Sequence, residues 1–120
     1  MRVPLRALAH TRSGDKGDIS NIVVVAYEPD FHAPLAAQLT PARVKTHFTG
    51  VVTGAVERYD VARLGVLNFV LHGALGGGVS RSLCLDNYGK ALGAAMLSVE
   101  IEVPDDWAPR LRGPKSPSTR

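Results

Sequence analysis

A short apolar run, Ile22 to Tyr27, constrains the fold more than any other part of the chain. The run reads IVVVAY and lies between a polar segment and the turn sequence Glu28-Pro29-Asp30. β-Branched residues favour extended backbone, and a nearly continuous apolar run is typical of a strand buried on both faces. The sequence therefore predicts an interior strand at this position.

The rest of the N-terminal half predicts one more strand and a helical region. Residues 5–10 read as a strand that ends in a tight polar loop. From Phe31 to Phe48 the apolar residues recur near the helical repeat, which favours helix. Thr40 followed by Pro41 is a typical N-cap pair, so the helical region is predicted in two pieces that meet there.

The C-terminal half predicts a hairpin, a helix and a final strand. Residues 51–59 and 66–71 read as strands, and the short link between them favours an antiparallel hairpin. Apolar residues at helical spacing predict a helix over about 88–97, and the strict alternation of 98–103 predicts a strand with one face in water.

The order of these segments predicts an α+β fold. Without the first strand the order is βαββαβ, the ferredoxin-like arrangement, in which an antiparallel sheet carries both helices on one face. The expected fold is this sheet with an extra N-terminal strand. We expect one domain over residues 1–104 and a flexible tail rich in Pro and Arg over 105–120. The free sheet face should be covered by a partner or by another copy of the chain.

Composition narrows the function classes. The net charge is +3, but the tail carries four basic residues against two acidic ones, so the body is close to neutral and a nucleic-acid surface is not expected. Cys84 is the only cysteine, and no apolar run approaches the ~20 residues that cross a bilayer. We therefore expect a cytoplasmic protein without membrane contact. The histidines lack metal-ligand spacing, so no metal site is expected.

The first polar motif is the predicted loop from Arg12 to Asp18. Its glycines permit unusual backbone angles, and its cations and free N–H groups suit a bound anion. The alternative is a solvated hairpin turn in which the carboxylates cap the backbone and opposite charges pair. The candidate binding residues are Arg12, Ser13, Gly14, Asp15, Lys16, Asp18 and Asn21.

The second motif, Asn68 to Arg81, ends a strand in a glycine cluster. A phosphate or carboxylate fits against the glycine N–H groups with Arg81 as counter-ion, although neither a Walker A loop nor G-x-G-x-x-G is matched. The alternative is a chain crossing at the sheet edge that needs small residues. The candidate binding residues are Asn68, His72, Gly76, Gly77, Gly78, Ser80 and Arg81. His72 is also the candidate for proton transfer, against a structural role.

Three stretches resemble the C-terminal domain of the acyclic terpene utilisation (AtuA) family. They read RSGDKGDISNIVVVAY, VERYDVARLGVLNFVLHGALGGGVSRSLCLD and GKALGAAML. The resemblance implies a ferredoxin-like domain, usually preceded by a much larger one, and a role in bacterial breakdown of acyl-CoA compounds such as terpenoid or branched-chain acids. It implies no assigned reaction or catalytic set. Since the large domain is missing here, it also implies that the two parts assemble as separate chains.

Two hypotheses follow, and a third is disfavoured. In the first, both motifs complete a site or interface on a large AtuA-like chain, within a homo- or hetero-oligomer that needs no cofactor. In the second, the chain is a homo-oligomeric CoA-binding or anion-binding domain or enzyme. There Arg12, Lys16 and Arg81 hold a CoA thioester, and His72 transfers a proton. An RNA-binding module is disfavoured because the strands carry few aromatic residues for base stacking.

Overall fold

The computed structural model describes residues 1–17, 19–74 and 92–111, and only the backbone of residues 15 and 16. Within these ranges no helix is both long and apolar enough to span a membrane. Residues 92–96 are helical. The other elements are β1 (Arg2–Pro4), β2 (Ala9–Lys16), β3 (Ile19–Ala26), α1 (His32–Gln38), α2 (Pro41–His47), β4 (Val56–Val61), β5 (Val66–His72) and β6 (Glu100–Glu102).

The strands form two antiparallel sheets. The larger has four strands in the order β2-β3-β5-β4, and the smaller pairs β1 with β6. This confirms the predicted α+β class with antiparallel strands. The last strand pairs with β1, whereas the place beside β3 is taken by β2. β2 and β3 form an antiparallel hairpin, which is possible because the polar residues after Ala9 are part of a strand.

The polar motif that we predicted as a loop is strand for most of its length. Pairing of β2 with β3 runs without interruption from Ala9 opposite Ala26 to Lys16 opposite Ile19, and the chain turns at Gly17 with φ of +61°. The predicted strand over residues 5–10 is likewise wrong in its first half, since Leu5–Ala7 is a 3-10 helix. Both errors have one cause. Strand pairing depends on backbone bonds to a distant segment rather than on local composition.

Alternate residues of β3 face the core, so the prediction of burial on both faces is wrong. Ile22 and Val24 are completely buried, whereas Asn21, Val23 and Val25 are only partly buried. The neighbouring strand β5 alternates in the same way, with its core face formed by Leu67, Phe69 and Leu71. The apolar runs of the sequence predict Val24, Leu67, Val70 and Ile101 as core residues. The prediction is wrong for Val70, which lies on the other face of the sheet, whereas the other three are buried.

The two helical pieces meet at the predicted cap. The Thr40 side chain accepts a hydrogen bond of 3.1 Å from the backbone N–H of Arg43, and Pro41 occupies the first turn of α2. Buried side chains from α1, α2 and residues 92–96 join the same core cluster as the inward residues of β3 and β5. The described helices therefore cover one face of the four-stranded sheet, as predicted.

Arg58 of β4 ties the sheet to the end of α1. Its Nη1 donates to the carbonyl oxygens of Ala36 at 2.7 Å and Leu39 at 2.9 Å, and its Nε lies 2.9 Å from Asp60. Carbonyl groups in the last turn of a helix lack partners within the helix. The guanidinium supplies those partners and so fixes β4 against the helical layer.

The first six residues of the predicted flexible tail, Asp105–Arg110, form a 3-10 helix. The Arg110 guanidinium lies over the rings of Phe31 and Trp107, 5.2 and 5.1 Å from their centroids. It also donates to Glu28 at 3.1 Å from Nε and to Asp30 at 2.9 Å, and these carboxylates raise the pKa of Arg110. Residues 112–120 lie outside the described part of the chain.

Replacing Leu67 and Val70 separately by alanine tests the two-faced sheet. Leu67→Ala should lower the free energy of unfolding by about 2–5 kcal/mol because it leaves a cavity in the core. Val70→Ala should cost about 1 kcal/mol or less because Val70 already meets solvent. Urea unfolding followed by circular dichroism measures both. Equal losses would place both side chains in the core.

Candidate functional site

The four-stranded sheet has a face that no described helix covers, here called the open face. Cross-strand partners point to the same side of a sheet, so the register identifies its members. The open face carries His10, Arg12 and Gly14 from β2, Ile19, Asn21, Val23 and Val25 from β3, Val66, Asn68, Val70 and His72 from β5, and Glu57, Tyr59 and Val61 from β4.

Val70 is the centre of a cluster of polar side chains on this face. Asn21 lies opposite it on β3 and Glu57 lies opposite it on β4. Asn68 and His72 lie two residues away on β5 itself, on the same face. These four residues, called the polar ring below, surround a partly buried valine. The ring therefore has an apolar floor with hydrogen-bonding groups around it.

His72 and Glu57 form one side of the polar ring. The His72 Nε2 atom lies 3.1 Å from the Glu57 Oε1 atom, and both side chains are about half exposed. A carboxylate at this distance orients the imidazole by accepting its Nε2 hydrogen. In the neutral ring that leaves Nδ1 as an acceptor. Nδ1 is therefore the ring nitrogen that can accept a hydrogen bond from another group on the open face.

Asn21 and Asn68 form the other side of the ring, and they join the two sequence motifs. The Asn21 side-chain amide donates to the Asn68 Oδ1 atom at 3.3 Å. Gly14 on β2 makes room for this arrangement, since a Cβ atom at that position would lie 3.0 Å from the Asn21 Oδ1 atom. Asn21, which follows the first polar motif, thus meets Asn68 of the second motif on the open face.

Two glycines position the end of β5, which carries His72. A Cβ atom on Gly54 would lie 2.8 Å from the His72 carbonyl oxygen, and one on Gly73 would lie 2.4 Å from the Thr53 hydroxyl. Gly73 also has φ of +65°, which favours glycine. The backbone N–H of Gly54 donates to the His72 carbonyl at 2.9 Å. This close approach fixes the histidine beside Glu57.

In a comparison with family models, residues 3–102 match the AtuA ferredoxin-like domain. The chain belongs to this family. The matched range contains the whole of the polar ring and nearly all of both sheets. Comparisons with curated proteins and with solved structures found no match.

The AtuA ferredoxin-like domain brings only some of the predicted site residues together. Ser13 belongs to the core-facing side of β2, where its hydroxyl would lie 3.1 Å from a Cβ on Gly93. Asp15 and Lys16 are placed by their backbone alone, opposite Ser20 and Ile19. The predicted residues on the open face are Arg12, Gly14, Asn21, Asn68 and His72. Asp18, Gly76, Gly77, Gly78, Ser80 and Arg81 lie outside the described residues, so their roles stay predictions.

Glu57 is the member of the polar ring that sequence reasoning missed. The segment from Val56 to Val61 reads VERYDV, and its period of two places Glu57 and Tyr59 on one face. That pattern carries the signal. The register of β4 against β5 is needed to show that this face is also the face that carries His72.

A separate cleft of about 300 Å³ lies on the helical side of the AtuA ferredoxin-like domain, lined in part by His47 and Ser98. The His47 Nε2 atom lies 3.0 Å from the Ala95 carbonyl oxygen and 3.4 Å from the Ser98 hydroxyl. A carbonyl only accepts, so Nε2 carries the hydrogen and cannot take a proton from Ser98. This pair is not a nucleophile and base. Among the described residues, no group of His, Cys, Asp and Glu is arranged to hold a metal ion.

Gly14→Ala tests the packing of the asparagine pair. The added methyl group would lie about 3.0 Å from the Asn21 Oδ1 atom, so the amide must move by a few tenths of an ångström. We expect altered NMR shifts of the side-chain amides of Asn21 and Asn68 with little loss of stability. Ser13→Ala, one residue away on the opposite face, is the control and should leave both amides unchanged. Unaltered amide shifts in Gly14→Ala would contradict the geometry.

Proposed function

We propose that this chain is a small component of an AtuA-type assembly that acts in bacterial acyl-CoA catabolism. In this proposal, the open face completes a site or an interface on a large AtuA-like chain. Membership of the AtuA ferredoxin-like domain family supports the type of assembly. The acyl-CoA role rests on the family resemblance of the two polar motifs.

The residue composition of the open face is the main support for this proposal. It combines partly buried valines with the polar ring and with the exposed cation of Arg12, which lies in one row with Val23 and Asn68 across three strands. Interfaces between proteins commonly mix an apolar centre with hydrogen-bonding groups and arginine. A face of this composition suits contact with another chain better than contact with water alone.

The shape of the face favours a partner over isolated binding of a substrate. Small-molecule sites are concave and bury most of the ligand surface. Within the described residues the sheet face supplies a floor but no walls, and the polar ring lies on that floor. A second chain that covers the open face would supply the walls, and it would place its own groups against His72 and Glu57.

A pull-down with the tagged chain tests the proposed partner. Wild-type protein should retain a large AtuA-like chain from native lysate, identified by mass spectrometry. Arg12→Glu should lower its recovery at least about tenfold, which corresponds to about 1.4 kcal/mol, because it reverses the charge of an exposed residue on the open face. Arg6→Glu changes an exposed arginine of the 3-10 helix beside Leu97 and is the matched control.

The control should keep wild-type recovery, and both variants should unfold within about 0.5 kcal/mol of wild type, as surface substitutions usually do. Equal recovery with Arg12→Glu and wild type would remove the open face from the interface. Failure of wild-type chain to retain any AtuA-like protein would refute the proposed assembly.

An alternative proposal is a self-contained domain that binds a CoA thioester or another anion. It is favoured by one observation, that Arg12 and the His72–Glu57 pair lie on the same exposed face. Titration of the purified chain with CoA and acetyl-CoA by calorimetry distinguishes the two. Saturable heat that Arg12→Ala abolishes would support direct binding, and absence of heat would leave the partner proposal.

A further inference from the structure

Exposed apolar side chains are concentrated at one edge of the four-stranded sheet. Among the described residues, the large exposed apolar side chains are Ile19 at 40%, Tyr59 at 55%, Val61 at 39% and Leu64 at 64%. Three of these four belong to β4 or to the 3-10 turn after it. Residues 59–64 are all exposed. This edge is therefore the most apolar part of the described surface.

Among the described residues, strand β4 lies at the edge of the four-stranded sheet and has backbone groups without a hydrogen-bond partner. The Ala55 carbonyl accepts a hydrogen bond from the His72 N–H, and the Ala26 N–H donates one to the Gly65 carbonyl. Because the bonding direction alternates along an antiparallel ladder, the N–H and C=O groups of Glu57 and Tyr59 point toward β5. The same groups of Arg58 and Asp60 then point outward. No hydrogen bond joins them to the described part of the chain.

The edge strand β4 has only one of the features that usually prevent strand pairing, inward-pointing charges, and these charges neutralise each other. Exposed edges are commonly protected by proline, lysine, a bulge or an inward-pointing charge. Val56–Val61 contains neither proline nor lysine, and it pairs with β5 residue for residue. Its core-facing charges, Arg58 and Asp60, are already paired with each other at 2.9 Å.

We propose that β4 pairs with β4 of a second copy of this chain, antiparallel and about a two-fold axis at Tyr59. The two four-stranded sheets then form one continuous sheet of eight strands. In this register Tyr59 lies opposite Tyr59 of the second copy, and Arg58 lies opposite Asp60 of the second copy on both sides of the axis. The outward backbone groups of these two residues form the new hydrogen bonds.

Face alternation and charge select this register. A shift by one residue would place open-face side chains opposite core-facing ones, which the period of two forbids. A shift by two in one direction places Arg58 opposite its own copy, and a shift by two in the other places Asp60 opposite its own copy. Like charges directly opposite destabilise a sheet, whereas Arg58 opposite Asp60 and the paired aromatic rings stabilise it.

Edge pairing also has a consequence for the open face. Four strands about 4.8 Å apart and about seven residues long cover on the order of 450 Å². A stable interface usually buries about 800 Å² on each partner. The two-fold axis is perpendicular to the sheet, so both open faces lie on one side and together cover about 900 Å², which is enough for such an interface. The pairing itself involves no other protein and does not require the proposed AtuA-type partner.

Cysteine crosslinking tests the register in the full-length chain. In a Cys84→Ser background, Tyr59→Cys places two thiols at a non-hydrogen-bonded pair with Cα atoms about 4.5 Å apart, which suits a disulfide. With oxidised glutathione as oxidant, most of the chain should become a disulfide-linked dimer. Val61→Cys is the matched control. It is exposed on the same strand, but its copies would be about 13 Å apart, so it should stay monomeric on a non-reducing gel.

Sedimentation equilibrium on chains without added cysteines is the second measurement. Wild type should show a monomer–dimer equilibrium, and Tyr59→Lys should weaken dimerisation at least about tenfold because two ammonium groups meet at the axis. Ile19→Lys, an exposed apolar residue two strands from the edge, should leave it unchanged. A strictly monomeric wild type with no Tyr59→Cys crosslink would overturn the proposal, and so would equal crosslinking of Tyr59→Cys and Val61→Cys.

Discussion

The alternation of side chains along β3 and β5 is the constraint on which the rest of this structure depends. In β5 the odd-numbered residues Leu67, Phe69 and Leu71 are completely buried, and the residues between them face outward. A slip of one residue would bury Asn68 and His72 and expose the core side chains, so the register is strongly specified. The same register places the polar ring around Val70. Stability and the candidate site are therefore determined by one pairing.

The alternation also places packing on one face of the sheet and the candidate site on the other. The core face holds the apolar side chains and the helices, so substitutions on the open face change binding groups without creating cavities. Positions near the site that need special packing are glycines. Gly14 leaves space for the Asn21 amide, and Gly54 and Gly73 allow the chain to approach His72 closely. The geometry of the polar ring therefore depends on these glycines, which have no side chain, as much as on the polar side chains themselves.

The parts of the fold that were predicted correctly depend on local chemistry. The break between α1 and α2 follows from the capping side chain of Thr40 and the ring of Pro41, which act within one turn. The parts that failed depend on distant segments. The polar residues after Ala9 become a strand because β3 offers hydrogen bonds. Val24 and Val70 look alike in an apolar run, and only the register decides which of them is buried.

The candidate site divides in the same way. Residue types alone identified Asn21, just after the first motif, and Asn68 in the second as candidates, yet their contact follows only from the pairing of β3 with β5. Glu57 was missed because the alternation of β4 does not show that Glu57 shares a face with His72 until β4 is aligned with β5. The sequence identified most of the polar side chains of the site, and the strand pairing determined which of them lie together on the open face.

The edge and the open face offer different means of association, and the two can operate together. In the proposed edge pairing, β4 binds through backbone groups of Arg58 and Asp60 in the plane of the sheet. In the proposed AtuA-type assembly, the open face binds through side chains that point out of that plane. A partner that contacts both halves of a doubled face binds the pair more tightly than a single copy. By mass action it also stabilises the pair, even where β4 pairing alone is weak. Covering of the open face and pairing of the edge therefore favour each other.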